Sequence, residues 1–411
     1  MKHLDQDRPT TPPHQPTAGV RILREVIEII AKLGFPYHDM ISVRQAPFGK
    51  FYNNRIYYLE LQKPTVERPA VQKLVLKVNG RFFGPNKIQN EVSCFRLVQK
   101  HCPSVPAPRA LAWSEDGHVA TFATPFRSGS CSIDMPTGLD TLTHGGWILM
   151  TRLPGSPLSE ADLDDAIMVS LANQFGDIVA CWRQNIPTQN YCGNIWLPGL
   201  NYDGADNELT IHGALHIGIN TTDPITHIND YYKTKLEKSL TRLQTTDSFA
   251  RSRYLIEPIQ AFIRDALPKL DLGSGRDMNP SEFVFTHYDL SPRNILMSGH
   301  PPRITGIVDF ESSGFFPTVE EFLNDSIGNK GDFPSVFYNS YLERLRRNGV
   351  ATPAAGFDPN LWNRNYWLET LAVRIAPWDL PGNYSGEKLE TELEKAESDV
   401  REMLEHLSNT D

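Results

Sequence analysis

Apolar residues recur along this chain with two different periods, and the point where the period changes divides it into two regions. Before about residue 153 they come in short runs that read as strands. Among these are Lys73-Leu-Val-Leu-Lys-Val78 and Gly146-Trp-Ile-Leu-Met-Thr-Arg-Leu-Pro-Gly155, the second ending abruptly in Pro-Gly. Two helices are expected in the same region. Val20, Leu23, Val26, Ile27 and Ile30 share one helical face behind Thr17, with Gly34 as a stop. Ile88, Val92, Phe95 and Val98 do the same within residues 85–101, where Pro85 suits a first helical position.

Beyond Pro154-Gly155 the helical period takes over. A long helix is expected from Ser159 to Gln184, with Asp162 three residues on as a capping partner. Residues 230–270 and 389–407 are also helical in pattern; Leu393, Ala396, Val400, Leu404 and Leu407 form a stripe too short for a heptad seam and read as core. Between these lies an insertion, residues 191–219, with two short strand-like runs around a Gly-Ala-Asp segment. No internal repeat is present.

The helical pattern breaks at Phe283-Val-Phe-Thr-His-Tyr-Asp-Leu-Ser-Pro-Arg-Asn-Ile-Leu-Met297, followed by Ile304-Thr-Gly-Ile-Val-Asp-Phe-Glu311. Two apolar runs pin a short loop that carries Asp289 and Asn294. Turn residues Ser298-Gly299 and Pro301-Pro302 then let residues 304–308 return as a hairpin that brings Asp309 beside the loop. Such a set of oxygen donors suits phosphoryl transfer from a nucleoside triphosphate. That reaction needs the acceptor hydroxyl positioned, its proton accepted and the phosphate charge neutralised. Asp289 suits the base, and Asn294 and Asp309 suit Mg2+, a hard cation that takes oxygen ligands and keeps several waters.

His287-x-Asp289-x-x-x-x-Asn294 followed by Asp309-Phe-Glu311 resembles the signature of the aminoglycoside phosphotransferase and choline kinase group. The flanks Ser291-Pro-Arg-Asn294 and Gly314-Phe-Phe-Pro317 are similar to a fungal branch of small-molecule phosphotransferases. Tyr288 departs from the pattern, since many relatives have glycine there, so a backbone argument tied to that glycine does not carry over. The resemblance implies an α+β, bilobal protein-kinase-like fold. Residues 1–16 would form a disordered tail, residues 17–153 an N-lobe of antiparallel sheet plus helix ending in a hinge, and residues 154–411 a mostly helical catalytic and substrate lobe.

The resemblance further implies that Lys77 faces the phosphates of ATP, or of GTP, and that Glu91 holds Lys77 in place. At the hinge the adenine edge would meet the backbone of Thr151 and Leu153, with Met150 behind. The segment covering the phosphates, Pro47 to Tyr58, contains Gly49 alone, and Asn53 and Asn54 would supply its turns and backbone donors. His287 reads as a scaffold residue. Glu311 suits either the metal or a turn, and Arg293 either a phosphate or a carboxylate. An otherwise equipped chain of this kind is also compatible with a nucleotide-binding pseudokinase or regulatory module that transfers nothing.

Composition narrows the partners. With 40% hydrophobic residues the chain can bury a large core, and a net charge of -9 gives no basic footprint for nucleic acid. Residues 1–16 are polar and proline-rich, without the apolar stretch of a secretory signal, and no apolar run approaches the ~18 residues of a spanning helix. The five cysteines, Cys94, Cys102, Cys131, Cys181 and Cys192, are scattered; with no signal they suggest reduced thiols and a soluble, cytoplasmic protein with no membrane partner. His212 and His216 with Cys192 make a weak zinc pattern, without paired cysteines, and a Gly-x-Ser-x-Gly hydrolase elbow is absent.

The acceptor is expected to be a small alcohol or amine-bearing molecule. An Ala-Pro-Glu segment of protein kinases does not follow Asp309. Acidic residues gather at Glu160, Asp162, Asp164 and Asp165, which read as a solvated face, and at Glu320, Glu321 and Asp325, nearer the chemistry. Phe315, Phe316, Phe322, Trp362, Tyr366, Trp367 and Trp378 suit either a cation-binding pocket or core.

Overall fold

A computed structural model describes residues 40–46, 54–62, 72–80, 85–117, 119–123, 130–132, 146–197, 210–211, 224–273, 282–323, 333–377 and 380–408. The tail over residues 1–16, the amphipathic segment after Thr17, His212, His216, Asp325 and Trp378 lie outside them.

The first region is a seven-stranded sheet: β1 (Met40–Gln45), β2 (Asn54–Leu61), β3 (Lys73–Asn79), β4 (Ala110–Ser114), β5 (Val119–Phe122), β6 (Ser130–Ser132) and β7 (Trp147–Thr151), in the order β1-β2-β3-β7-β4-β5-β6 with antiparallel neighbours throughout. The apolar run at residues 74–78 is nearly continuous because β3 is central and both its faces are covered. Leu74, Leu76 and Val78 point to one side, into a cluster with Tyr57, Leu59, Trp147 and Leu149. Val75 and Lys77 point to the other, where α1 (Pro85–His101) packs through Ile88, Val92, Phe95 and Val98. The lysine therefore lies on the inner face of the sheet, opposite Ile56 of β2 and Ile148 of β7.

After β7 the chain makes β8 (Ser156–Pro157), α2 (Asp165–Asn185), β9 (Ile195–Trp196) and β10 (Thr210–Ile211), then α3 (Ile228–Thr245) and α4 (Ile256–Ala261). The strands β11 (Val284–Thr286), β12 (Ile295–Ser298), β13 (Arg303–Ile307) and β14 (Gly314–Phe316) follow. Helices α5 (Glu320–Leu323), α6 (Ser335–Arg347), α7 (Pro359–Arg374), α8 (Leu380–Asn383) and α9 (Gly386–Ser408) complete the fold. β9 and β10 are the two short runs of the insertion, and they pair with one another.

The long helix begins later than the sequence suggests. Residues 158–160 form one 3-10 turn, anchored by the buried Leu158, and the chain then runs extended to Asp164. Asp164, not Ser159, caps α2 by accepting the Ile167 N–H at 2.8 Å. Phe175 at the middle of α2 packs on Phe333, Phe337 and Tyr341 at centroid distances of 6.0, 5.9 and 4.9 Å, which fixes α6 along it. In α9, Leu393, Ala396, Val400 and Leu407 are buried, so the stripe is core.

The segment around Asp289 is held by two small sheets. β11 pairs with β14, while β12 pairs with β13 as the expected hairpin and with β8 on its other side. β8 begins directly after Gly155, so the chain leaving β7 docks at once onto the hairpin. Gly155 has φ +107, and a Cβ there would lie 2.4 Å from the Met297 carbonyl oxygen. Gly155→Ala is expected to cost about 1–3 kcal/mol in strained backbone, before any clash is relieved. Equilibrium urea unfolding would register this as a lower midpoint, and an unchanged midpoint would mean the junction yields freely.

Candidate active site

The loop after β11 is built on His287. Its ring is fully buried, 4.5 Å from the Phe310 ring centroid and 6.4 Å from that of Trp182. One nitrogen, Nε2, lies 3.1 Å from the Val308 carbonyl oxygen, and the other, Nδ1, accepts the Asp289 N–H at 3.4 Å. Those partners assign the neutral tautomer with the proton on Nε2. Burial drives its pKa down to about 3, so the imidazole stays neutral and serves as scaffold.

Two residues flanking the chemistry have left-handed backbones without being glycine: Tyr288 at φ 71 and Asp309 at φ 69. The conformation that glycine would permit at position 288 is thus adopted by tyrosine, whose ring packs 4.7 Å from Phe316. Asn294 donates through Nδ2 to the Asp289 carbonyl at 2.8 Å and to its Oδ2 at 3.1 Å, which turns Oδ1 away from Asp289. Arg293 donates to Asp289 Oδ1 at 2.7 Å, the carboxylate partner expected as one of its two alternatives. The Asp289 side chain is 28% exposed, so it is open to solvent. Burial, reinforced by Asp309, holds its pKa up to about 6 against the opposing pull of Arg293 and Asn294.

A second cluster lies where the sheet, α1 and the Asp309 segment meet. Lys77 Nζ donates to both Glu91 oxygens at 2.8 and 2.7 Å and to Asp309 Oδ1 at 2.6 Å, and is 2.7 Å from Glu311 Oε2. Burial alone would lower the lysine pKa, but Asp309, Glu311 and Glu91 outweigh it, and the ammonium is held well above its ordinary value. The structure adds Lys87 and Asn90 to this cluster and gives Asn54 a different place in it. Lys87 is 3.1 Å from Glu311 Oε2 and donates to Asn54 Oδ1 at 2.7 Å; Asn54 Nδ2 donates to Glu311 Oε2 at 2.8 Å. Asn90 Nδ2 donates to the carbonyls of Glu311 and Ser313, both at 2.9 Å.

Asn54 is therefore not a turn residue. It opens β2, and its side chain bonds Glu311 across 257 positions. Lys87 lies one helical turn before Glu91 on a buried face, and that spacing of polar residues in an apolar stripe was the available signal.

The carboxylates gathered on Lys77 are of the type that ligates a divalent cation. Among the described residues Glu91, Asp309 and Glu311 present ligand oxygens within 4.8 Å of one another. Of the three only Asp309 opens to solvent, with its side chain 31% exposed against 1% for Glu91 and 5% for Glu311. The Val308 N–H donates to the Asn294 carbonyl at 3.0 Å, which ties the Asn294 turn to the strand end carrying Asp309. Glu91 and Glu311 are turned to Lys77, and Asp309 is the outermost of the three carboxylates.

Met150, Thr151 and Leu153 stand apart from the two charged clusters. Thr151 pairs with Leu74 and Met150 with Val75, further along the strand pair that carries Lys77. Met150 is buried, and Leu153 lies against Gly306 of β13. A cavity of about 190 Å³ beside the loop, lined by Leu158, Leu163, Met168, Pro292, Phe333 and Phe337, is too small and apolar for a nucleotide.

Glu320 and Glu321 of the second acidic group present no surface to an acceptor. Glu320 and Glu321 are buried, Glu321 bonded by Arg183 at 3.0 Å and Glu320 by Tyr232 at 3.4 Å. Phe315, Phe316 and Phe322 are core, Trp362 stacks on Phe357, and Trp367 packs on His406 between α7 and α9. Asp162, Asp164 and Asp165 are exposed.

The model of the phosphotransferase enzyme family (APH) matches residues 45–326, a span that contains both charged clusters. No curated protein matches the chain. Among similar solved structures are the gentamicin complex of APH(2'')-IIa, at 12% identity over 94% of this chain and 99% of that one with a TM-score of 0.53, and the ADP-bound aminoglycoside phosphotransferase APH(2'')-Ib, at 14% identity over 93% and 99% with a TM-score of 0.51. A thermostable mutant of APH(4)-Ia in a ternary complex with AMP-PNP and hygromycin B aligns at 14% identity over 95% and 100%, TM-score 0.50. These likenesses share the antiparallel N-terminal sheet and the helical remainder. With its protein-kinase-like fold and a family match that runs from β1 to just past α5, the chain belongs to the phosphotransferase enzyme family.

Proposed function

We propose that the protein transfers the γ-phosphoryl group of ATP to a hydroxyl, or an amine, of a small molecule in the cytoplasm, with Mg2+ as cofactor. The observation that carries this reading is the convergence of Lys77, Glu91 and Asp309 within 2.6–2.8 Å, beside a loop in which Asn294 pins Asp289. Asp289 accepts the acceptor's proton. Lys77, kept charged and aimed by Glu91, donates to the phosphates once Asp309 releases it. Bound by Asn294 and Asp309, Mg2+ supplies neutralisation of the phosphate charge. Thr151 and Leu153 offer backbone to the base and Met150 lines its pocket; GTP would make the same phosphate contacts. Aminoglycosides are named with the solved relatives, and a small-molecule acceptor for this chain is consistent with them.

Arg293 on Asp289 Oδ1 favours one second reading, a nucleotide-binding module whose base is held out of action. Mass spectrometry of a metabolite extract incubated with Mg-ATP separates the two. A species heavier by one phosphoryl group with wild type and absent with Asp289→Asn supports transfer; Mg-ATP binding without any such species supports the module.

Asp289 fixes the pH dependence. With its pKa near 6, the carboxylate that accepts a proton is present above that value and lost below it. The kcat/KM for the acceptor should therefore fall as pH drops through about 6 and level off above about 7. A flat profile from about pH 5 to pH 8 would place the base elsewhere.

A further inference from the structure

A buried polar cluster lies directly beneath the loop, outside the charged groups described above. Lys235 of α3, with its side chain 7% exposed, donates to the Tyr288 hydroxyl at 3.0 Å and to that of Tyr231 at 3.2 Å. It is bonded to Glu369 of α7 and lies 3.7 Å from Glu320 Oε2 of α5. The two tyrosine hydroxyls are 3.3 Å apart. Three helices therefore converge, through one ammonium group, on the residue that precedes Asp289.

We propose that Lys235 is a positioning residue of the phosphotransfer centre: by bonding the Tyr288 hydroxyl it holds that residue in its left-handed backbone conformation and so fixes the direction of Asp289. The inference rests on Asp289 being the base. A tyrosine at φ 71 is backbone that a side chain rarely adopts, so surrounding contacts must hold it there. Ring packing on Phe316 supplies part of the hold, and phenylalanine would supply that equally well. What tyrosine adds is the hydroxyl, and that hydroxyl meets Lys235. A buried ammonium between two glutamates is also a poor device for stability alone, because an apolar replacement of the whole set usually does as well. Its place under the loop assigns it to geometry.

Two variants test this: Tyr288→Phe, which keeps Lys235 paired with Glu369 and Glu320, and Lys235→Met combined with Glu369→Gln and Glu320→Gln, which removes the three buried charges together. Two readouts are taken, phosphate release from Mg-ATP with water in the acceptor's place, and hydrogen exchange of the peptide covering residues 284–297. Each variant should lower kcat by about tenfold or more with KM for ATP within about twofold, because a small misplacement of a reacting group is costly to the chemical step. Exchange should quicken in 284–297 and not in α2 or α9, and the variant combining all these changes should be no worse than either, as expected of one coupled unit. Wild-type kcat and wild-type exchange in Tyr288→Phe overturn the proposal, as does a loss that appears in every peptide or in KM alone. If wild type releases no phosphate, the exchange result decides. Full turnover in Asp289→Asn would instead remove the base assignment and leave the loop-holding result standing.

Discussion

Asp289→Asn is expected to cut phosphoryl transfer by about 10²–10⁴-fold while leaving Mg-ATP affinity within about twofold. The amide matches the carboxylate in shape, so the contacts of Asn294 and the backbone tie to His287 can persist. It cannot accept the acceptor's proton. Arg293 loses a carboxylate partner, but its side chain is 57% exposed and water screens the loss. The cluster around Lys77, proposed to meet the phosphates, does not use Asp289: its bonds go to Glu91, Asp309 and Glu311. Nucleotide affinity and turnover should therefore separate. Acceptor kcat/KM measured beside calorimetric titration with Mg-ATP checks this. Turnover within threefold of wild type would remove Asp289 from the base role, and a parallel loss of affinity would move it to the nucleotide.

What the sequence revealed, and what it hid, follows from the range of the interactions. Residues 85–101 were legible as a helix because an apolar stripe and a leading proline are local signals, and the structure begins and ends α1 there. The strand at Lys77 and the hairpin behind Asp309 were legible for the same reason. The cap of α2 was not. Ser159 and Asp164 both offer oxygens ahead of a helical run, and burial of Leu158 commits the first to a separate turn. The fate of Glu320 and Glu321 was hidden entirely. Two adjacent glutamates close in sequence to the chemistry read as a group near the acceptor until Arg183, 138 positions from Glu321, and Lys235 on another helix come to meet them. The same holds for Glu311, whose partners Asn54 and Lys87 come from β2 and α1. Local periodicity built the elements around the site, whereas long-range charge pairing decided which acidic residues face the cleft.

Lys77→Met should be the most damaging change for stability. It removes the ammonium from between Glu91, Asp309 and Glu311, leaving three close carboxylates with Lys87 on the Glu311 side. Breaking such a buried pair on one side costs about 3–5 kcal/mol, since the carboxylates keep their desolvation without a counter-charge. The pH dependence identifies the cause. In the wild type, burial together with Asp309 and Glu311 already holds Glu91 up to about 7 against the pull of Lys77, and removing the lysine raises it further. A folded state whose carboxylate pKa lies above the unfolded value binds more protons than the unfolded chain, so its stability falls as pH rises through that interval. The deficit of Lys77→Met relative to wild type should thus be largest near pH 8 and shrink toward pH 5.5, where protonation relieves the repulsion, as urea unfolding at about those two values would reveal. Added Mg2+ should stabilise the variant more than the wild type, because the carboxylate oxygens lie within 4.8 Å of one another and a divalent cation can stand in for the ammonium. Affinity for Mg-ATP should still fall by about ten- to a hundredfold, the worth of a charge-assisted bond to phosphate. Restored stability without restored affinity would separate the two roles of Lys77; a variant as stable as wild type at every pH would mean the ion-pair network carries no folding energy.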